Sequence, residues 1–245
     1  MTALAISAVD DLPEIEPGAD LAALVADRAD LVDGDVVVVT SKVVSKSEGA
    51  VVDLSTVVPS AFATRFGDTW GKDPRLVEVV LAQAARIVRM SGPILITETH
   101  HGFVCANSGV DQSSSGAADR VVVLPRDPDA SAAGLRRRFA ELGADVAVIV
   151  SDTFGRPWRE GQTDVAIGVA GMAPIVSYVG QVDPHGHEFR VQALCVADEL
   201  AGAAELVKGN TSRLPVAIIR GYSWERDDTA TITSLVREPA RDLFR

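Results

Sequence analysis

Three observations predict an α+β protein of mixed sheets with flanking helices. The runs "DVVVVT" and "ADVAVIV" have the apolar density of strands buried on both faces. Strands alternate with capped helices, which favours parallel pairing, yet "ITETHHGFVCA" joins two strands by a turn too short for a crossover. Parallel and antiparallel neighbours therefore share the fold.

Taken in order, "LPEIEPG" is an extended loop pinned by Pro13 and Pro17, and "ADLAALVADRADL" follows as a short helix with Asp20 as its cap. "GDVVVVTSKVVSKSEGAVVDL" opens as a buried strand and continues into a polar segment that delivers Lys42 and Lys46 to a rim. The segment from Asp73 to Met90 begins with Asp then Pro and sets Leu76, Val80, Ala84 and Ile87 on one stripe, so it predicts a helix throughout. "PILITETHHGFVCANSGVD" predicts a hairpin turning at "HHG", with its second arm ending at Asp111 before the loop "QSSSG". Strand, Asp127-Pro128 cap, helix and a stop at Gly143 are legible in "VVVLPRDPDASAAGLRRRFAELG", and residues 144–150 form the next strand. Further strands are expected at "APIVSYVGQVD", "EFRVQALCVAD" and "PVAIIRGYSW", with a helix at "ELAGAAELVKG" between the last two. No linker, repeat or low-complexity tract divides the chain, which predicts a single domain over residues 1–245.

Charge narrows the function classes. A net charge of -11 repels polyanions unless cations are gathered locally or supplied as metal ions, which argues against nucleic acid as a partner. The two cysteines, Cys105 and Cys195, sit among apolar neighbours and fit buried thiols in a reducing compartment. No apolar run approaches the roughly 18 residues that span a bilayer, and the N-terminus lacks the basic start of a signal peptide. The expectation is a soluble cytoplasmic protein with no membrane partner, in which the sequon at Asn210 is only a turn.

Familiar catalytic devices are missing: no GxxxxGK[ST], GxGxxG, GxSxG, HExxH or CxxC pattern occurs. The informative stretch is "SDTFGRPWREGQTDVAIGVAG", residues 151–171, a polar glycine-rich segment set directly after an apolar strand. It is read as a loop at the mouth of that strand. Asp152 and Thr153 offer hard oxygen ligands of the kind magnesium or manganese takes, the alternative being that Asp152 caps a turn. Asp111 is a second acidic strand end in the same kind of setting, and two such carboxylates can hold one metal.

Other polar groups admit two readings each. Ser113, Ser114 and Ser115 either bind phosphate or form a plain loop, and Lys42, Lys46, Arg156 and Arg159 either offset substrate phosphate charge or are solvated surface cations. Trp158 covers a planar ring or anchors its loop, and His100, His101, His185 and His187 make a weak case for zinc. Residue chemistry alone thus reaches an enzyme that binds a metal and a phosphorylated ligand. A metal-dependent phosphohydrolase and a nucleotide- or flavin-binding module stand as alternatives.

Together, "LPEI", "DVVVVTSKVVSKSEG", "SGVDQS", "LPRDPDASAAGLR" and above all "SDTFGRPWREGQTDVAIGVAG" closely resemble the coenzyme F420-0:L-glutamate ligase family, from about residue 12 to the C-terminal "RDLF". The resemblance implies a GTP-dependent amide ligase that joins L-glutamate to coenzyme F420-0 and extends the γ-linked tail through an acyl phosphate. It also implies magnesium or manganese, potassium as a further cation, two intimate lobes and an intertwined homodimer. Carried over by position, it implies nucleotide contacts at Leu12, Pro13, Glu14, Ile15, Ser41, Lys46 and Ser114, where relatives carry asparagine, and metal ligands at Asp111, Asp152 and Thr153. Lys46 and Arg156 would stabilise the charge that develops on transfer. Actinobacterial relatives continue into a flavin-binding domain, so a stand-alone ligase and the ligase domain of a longer chain are both expected forms.

Overall fold

The computed structural model of the chain describes residues 3–112 and 119–243. In chain order, β1 (Ala5–Ala8) leads through the proline-containing loop to α1 (Leu21–Ala26), whose first turn is capped by the Asp20 carboxylate accepting the Ala23 N–H at 3.0 Å. The valine run becomes β2 (Val36–Thr40) and passes without a loop into α2 (Ser41–Ser47). β3 (Val51–Asp53), α3 (Ala61–Trp70), α4 (Pro74–Ala82), β4 (Ala84–Ser91), β5 (Ile94–Thr99), β6 (Val104–Ala106) and β7 (Arg120–Val122) follow. The remainder is α5 (Pro128–Glu141), β8 (Ala147–Arg156), β9 (Arg159–Met172), β10 (Val176–Ser177), β11 (Ala193–Leu194), α6 (Val196–Lys208), β12 (Val216–Arg220) and β13 (Arg226–Asp227).

The main sheet has six strands in the order β1-β12-β2-β8-β9-β13. β2 and β8 run parallel, with Val36 opposite Ala147 and Thr40 opposite Ser151, and every other pair is antiparallel. This is the expected mixed sheet, and its central strands are continuous apolar runs because both of their faces are covered. The largest buried cluster joins Val36–Val39 and Val146–Val150 to Phe139 of α5 and to Leu200, Ala201 and Ala204 of α6. α5 docks on β9 where Gly168 leaves room: a Cβ there would lie 2.3 Å from the Pro128 carbonyl oxygen. The Asp129 carboxylate holds the same joint by accepting the N–H groups of Val169 at 2.9 Å and Ile232 at 3.0 Å. A smaller cluster, Ala63, Phe66, Val77, Val80 and Leu95, sits between α3, α4 and the three-stranded sheet β4-β5-β6.

Several expectations are corrected. The helix predicted from Asp73 to Met90 stops at Ala82, and residues from Ala84 onward form β4, paired with β5 through two register shifts. The β-branched pair Ile87 and Val88 and a ready antiparallel partner outweigh the helical spacing that Leu76 and Val80 begin. α3 carries no expectation from the sequence reading at all. The second hairpin arm ends at Ala106, because Asn107 and Ser108 take positive φ of 53° and 54°. The Ser108 hydroxyl donates to the Val80 carbonyl at 2.8 Å, which draws the chain out of the sheet, and Asp111 pairs instead with Val122 as an isolated bridge.

Residues 151–171 are not a loop. They belong to the β8–β9 hairpin, with Asp152 and Thr153 inside β8 and the turn at residues 157–158, where Trp158 has φ 57°. The strands expected at 173–183 and 188–198 shrink to two residues each. Gly180 and Gly186 turn at positive φ, and Asp183 accepts the N–H groups of both His185 and His187 at 2.8 Å.

Candidate functional site

β2 and β8 end their parallel pairing at Thr40 and Ser151. The carboxyl end of parallel strands is where sheets of this kind bind ligands, since the chain must leave the sheet there and opens a crevice. Here β2 turns into α2 while β8 continues as one arm of the hairpin, and a cleft of about 490 Å³ lies between them. Its walls come from Leu12–Ile15, from Lys42 and Lys46 of α2, from Ser151–Thr153 and Asp164 of the hairpin, and from Glu205 and the segment following α6.

Asp152 is half-buried and accepts the Ser41 hydroxyl at 2.9 Å. Burial pushes its carboxyl up to about 6, against the pull of the Ser41 hydroxyl, the Thr153 N–H and the Lys42 ammonium, while the charge of Asp164 adds to the rise. Lys42 pairs at 2.5 Å with Asp111, so one ammonium serves both carboxylates. Lys46 is mostly covered and pairs with Glu14 at 2.5 Å, tying α2 to the N-terminal loop.

Behind Thr153 lies a buried polar knot. Asp164 accepts the Thr153 hydroxyl at 2.7 Å, the Ser151 hydroxyl at 2.9 Å and the Lys208 ammonium at 2.8 Å. Ser151, Asp164 and Lys208 are 0%, 2% and 1% exposed, so no water competes for these bonds. Glu205 stands 3.7 Å from Lys208, and burial, then the charge of Asp164, push its carboxyl up.

Of the residues singled out from sequence, Leu12, Pro13, Glu14, Ile15, Lys46, Asp152 and Thr153 all line the cleft. Ser41 joins through Asp152, and Asp111 through Lys42. Arg156 stands apart, at the far end of the hairpin, donating to the Glu160 carbonyl at 3.2 Å. Ser113, Ser114 and Ser115 lie outside the described residues. His100 and His101 bind backbone carbonyls of Ala82 and Pro125 at 3.1 and 3.0 Å. Trp158 is 81% exposed at the hairpin turn.

Sequence reasoning gave no role to Asp164, Glu205, Lys208 or Arg213. A hairpin reading of 147–172 would have set Asp164 opposite Thr153, as the register has it. Lys208 stands where the buried stripe of α6, Leu200, Ala201 and Ala204, would place another apolar side chain, and a lysine in such a stripe is itself a signal.

The donor chemistry fits a hard divalent cation. Among the described residues no group of three or more His, Cys, Asp or Glu is placed to hold a metal by itself. Magnesium, however, takes one or two carboxylates and leaves the rest of its shell to water and substrate phosphate. Asp111, Asp152 and the Thr153 hydroxyl supply oxygen only, and the rise of Asp152 to about 6, caused chiefly by burial, is one that a bound cation would oppose.

A family model described as F420-0:Gamma-glutamyl ligase matches residues 11–221. The chain is 45% identical over 237 residues to a protein named Coenzyme F420:L-glutamate ligase from Methanopyrus kandleri, covering 95% of this chain and 94% of that one. It is 41% identical over 253 residues, 99% of each chain, to the protein of the same name from Methanothermobacter thermautotrophicus. A third, from Halobacterium salinarum, is 45% identical over 228 residues, 90% of this chain and 88% of the relative.

Proposed function

The chain belongs to the F420-0:gamma-glutamyl ligase family and is a ligase that attaches L-glutamate in the biosynthesis of coenzyme F420, and from that premise we propose that it is driven by GTP through an acyl phosphate. The observation that carries the proposal is the cleft itself, where oxygen donors Asp152 and Thr153 face the cations Lys42, Lys46 and Arg213 in one space.

A carboxylate resists attack by an amine until one of its oxygens is made a leaving group. Transfer of the γ-phosphoryl of GTP to the carboxylate of coenzyme F420-0 does this and releases GDP, and the amine of L-glutamate then displaces phosphate to give the amide. Both reactants of the first step are anions in a chain of net charge -11, so their meeting needs local positive charge. Asp111, Asp152 and Thr153 would hold magnesium or manganese, which supplies charge neutralisation between phosphate and carboxylate when bound. Lys46, clamped by Glu14, presents a fixed ammonium to phosphate oxygens, and Leu12–Ile15 form the wall against which the nucleotide rests.

The reading extends to a single catalytic domain of two lobes that works as a cytoplasmic homodimer. In support, α3, α4 and the three-stranded sheet have a core separate from that of the main sheet, and Met90 and Ile94 on that part are 53% and 49% exposed. Both cysteines are free thiols, and among the described residues no helix is long and apolar enough to cross a membrane.

Coenzyme F420-0 labelled with ¹⁸O in its carboxylate tests the chemistry. The proposal predicts one labelled oxygen in the phosphate released per amide formed. Unlabelled phosphate alongside amide formation would overturn it.

A further inference from the structure

We propose that Lys208 and Asp164 are positioning residues whose task is to orient the Thr153 hydroxyl as a ligand for the metal. The inference rests on the reading that Thr153 helps to hold that metal.

The argument is one of proton direction. An ammonium can only donate hydrogen bonds and a carboxylate can only accept them, whereas a hydroxyl has one proton to place. Lys208 donates to Asp164 Oδ2 at 2.8 Å and to Ser151 Oγ at 3.0 Å. Ser151, accepting from Lys208, sends its own proton to Asp164 Oδ2 at 2.9 Å. Thr153 sends its proton to Asp164 Oδ1 at 2.7 Å. Each bond in this chain has a single possible direction, fixed by the two charged ends. Thr153 Oγ1 therefore offers only lone pairs to the cleft, which is what a cation requires.

The alternative is that the pair simply stabilises the fold. A fully buried ion pair is a poor device for that, since apolar side chains of similar volume commonly serve as well or better. This pair lies immediately behind a cleft-lining hydroxyl, and its carboxylate bonds to that hydroxyl directly. Outer groups that orient metal ligands in this manner characteristically set affinity by about 10–100-fold.

Titration with Mn²⁺ alone, with free Mn²⁺ followed by electron paramagnetic resonance, tests the proposal on the purified full chain. Thr153→Val and Asp164→Asn should each weaken Mn²⁺ binding about 10–100-fold, while Thr153→Ser, which keeps the hydroxyl, binds as the unmodified protein does. Combining Asp164→Asn with Thr153→Val should weaken binding no further than Thr153→Val alone, because both act through one oxygen. Lys208→Met separates the roles by sign. A positioning role weakens Mn²⁺ binding, a merely electrostatic role tightens it by removing a nearby positive charge, and a merely structural role lowers the melting temperature with Mn²⁺ affinity unchanged.

Tighter or unchanged binding in Lys208→Met overturns the proposal, as do multiplying effects in the double variant. Should Lys208→Met and Asp164→Asn fail to fold, normal binding by Thr153→Val overturns it unaided. Asp152→Asn separates the premise from the inference: retained Mn²⁺ binding there sinks the metal reading and this inference with it. Lost binding in Asp152→Asn with unmodified binding in both Asp164→Asn and Lys208→Met sinks this inference alone.

Discussion

Without a metal, Asp152→Asn should make the protein more stable. Burial, above all, raises the Asp152 carboxyl from 3.8 to about 6, so the folded chain binds this proton more tightly than the unfolded chain does. An acid displaced in that direction lowers stability as pH climbs through the interval between the two values, and the loss is complete above about 6. At about 1.4 kcal/mol per tenfold change in proton affinity, the displacement amounts to about 3 kcal/mol at pH 7.5 and about half of that at pH 5. Asparagine keeps an acceptor for the Ser41 hydroxyl and carries no charge to desolvate. Urea unfolding in EDTA at the two pH values reads the difference directly. The variant should exceed the unmodified protein by about 2–3 kcal/mol at pH 7.5, with a smaller margin at pH 5. Saturating magnesium should then stabilise the unmodified protein and leave the variant where it was. A variant equal to or weaker than the unmodified protein at pH 7.5 in EDTA would refute the reasoning, for burial would then not penalise the Asp152 charge.

Three further outcomes follow from the packing. Gly168→Ala should lose about 3 kcal/mol in urea unfolding, the upper end for overpacking, because its Cβ meets the Pro128 backbone 2.3 Å away. Gly155→Ala, with open space around it, should stay within about 0.5 kcal/mol of the unmodified protein. Cys105, whose thiol burial pushes up to about 12, should alkylate with iodoacetamide at pH 8 on the order of a thousandfold more slowly in the folded chain than in urea. Rapid labelling of Cys105 in the folded chain would contradict its placement.

Legibility in the sequence followed the strength of local patterns. The valine run, the Asp-Pro start of α5 and the cap at Asp20 were plain, because each element is specified by a few adjacent side chains. β4 was hidden: its residues continue the helical spacing of α4, and only the distant partner β5 makes them a strand. The β8–β9 hairpin was hidden for another reason. Beyond Thr153 the arms carry polar or exposed residues apart from Phe154, so no period of two marks them, and their pairing with each other holds them extended. That one misreading also concealed the site's inner half. Asp152 and Thr153 were found as residues, but Asp164 becomes visible only when the hairpin register sets it across from Thr153. Lys208 arrives from α6, forty-four positions away from Asp164 in the chain.

The central claim is that this cleft ligates glutamate with GTP and a divalent cation. Mass spectrometry of coenzyme F420-0 incubated with the protein, L-glutamate, GTP and magnesium or manganese tests it most directly. The account predicts products heavier by whole glutamyl residues, lost when EDTA is added, when GTP is omitted or when Asp152 is replaced by asparagine. Glutamylated product formed in the presence of EDTA, or GTP consumed with no glutamylated product under either metal, would contradict it.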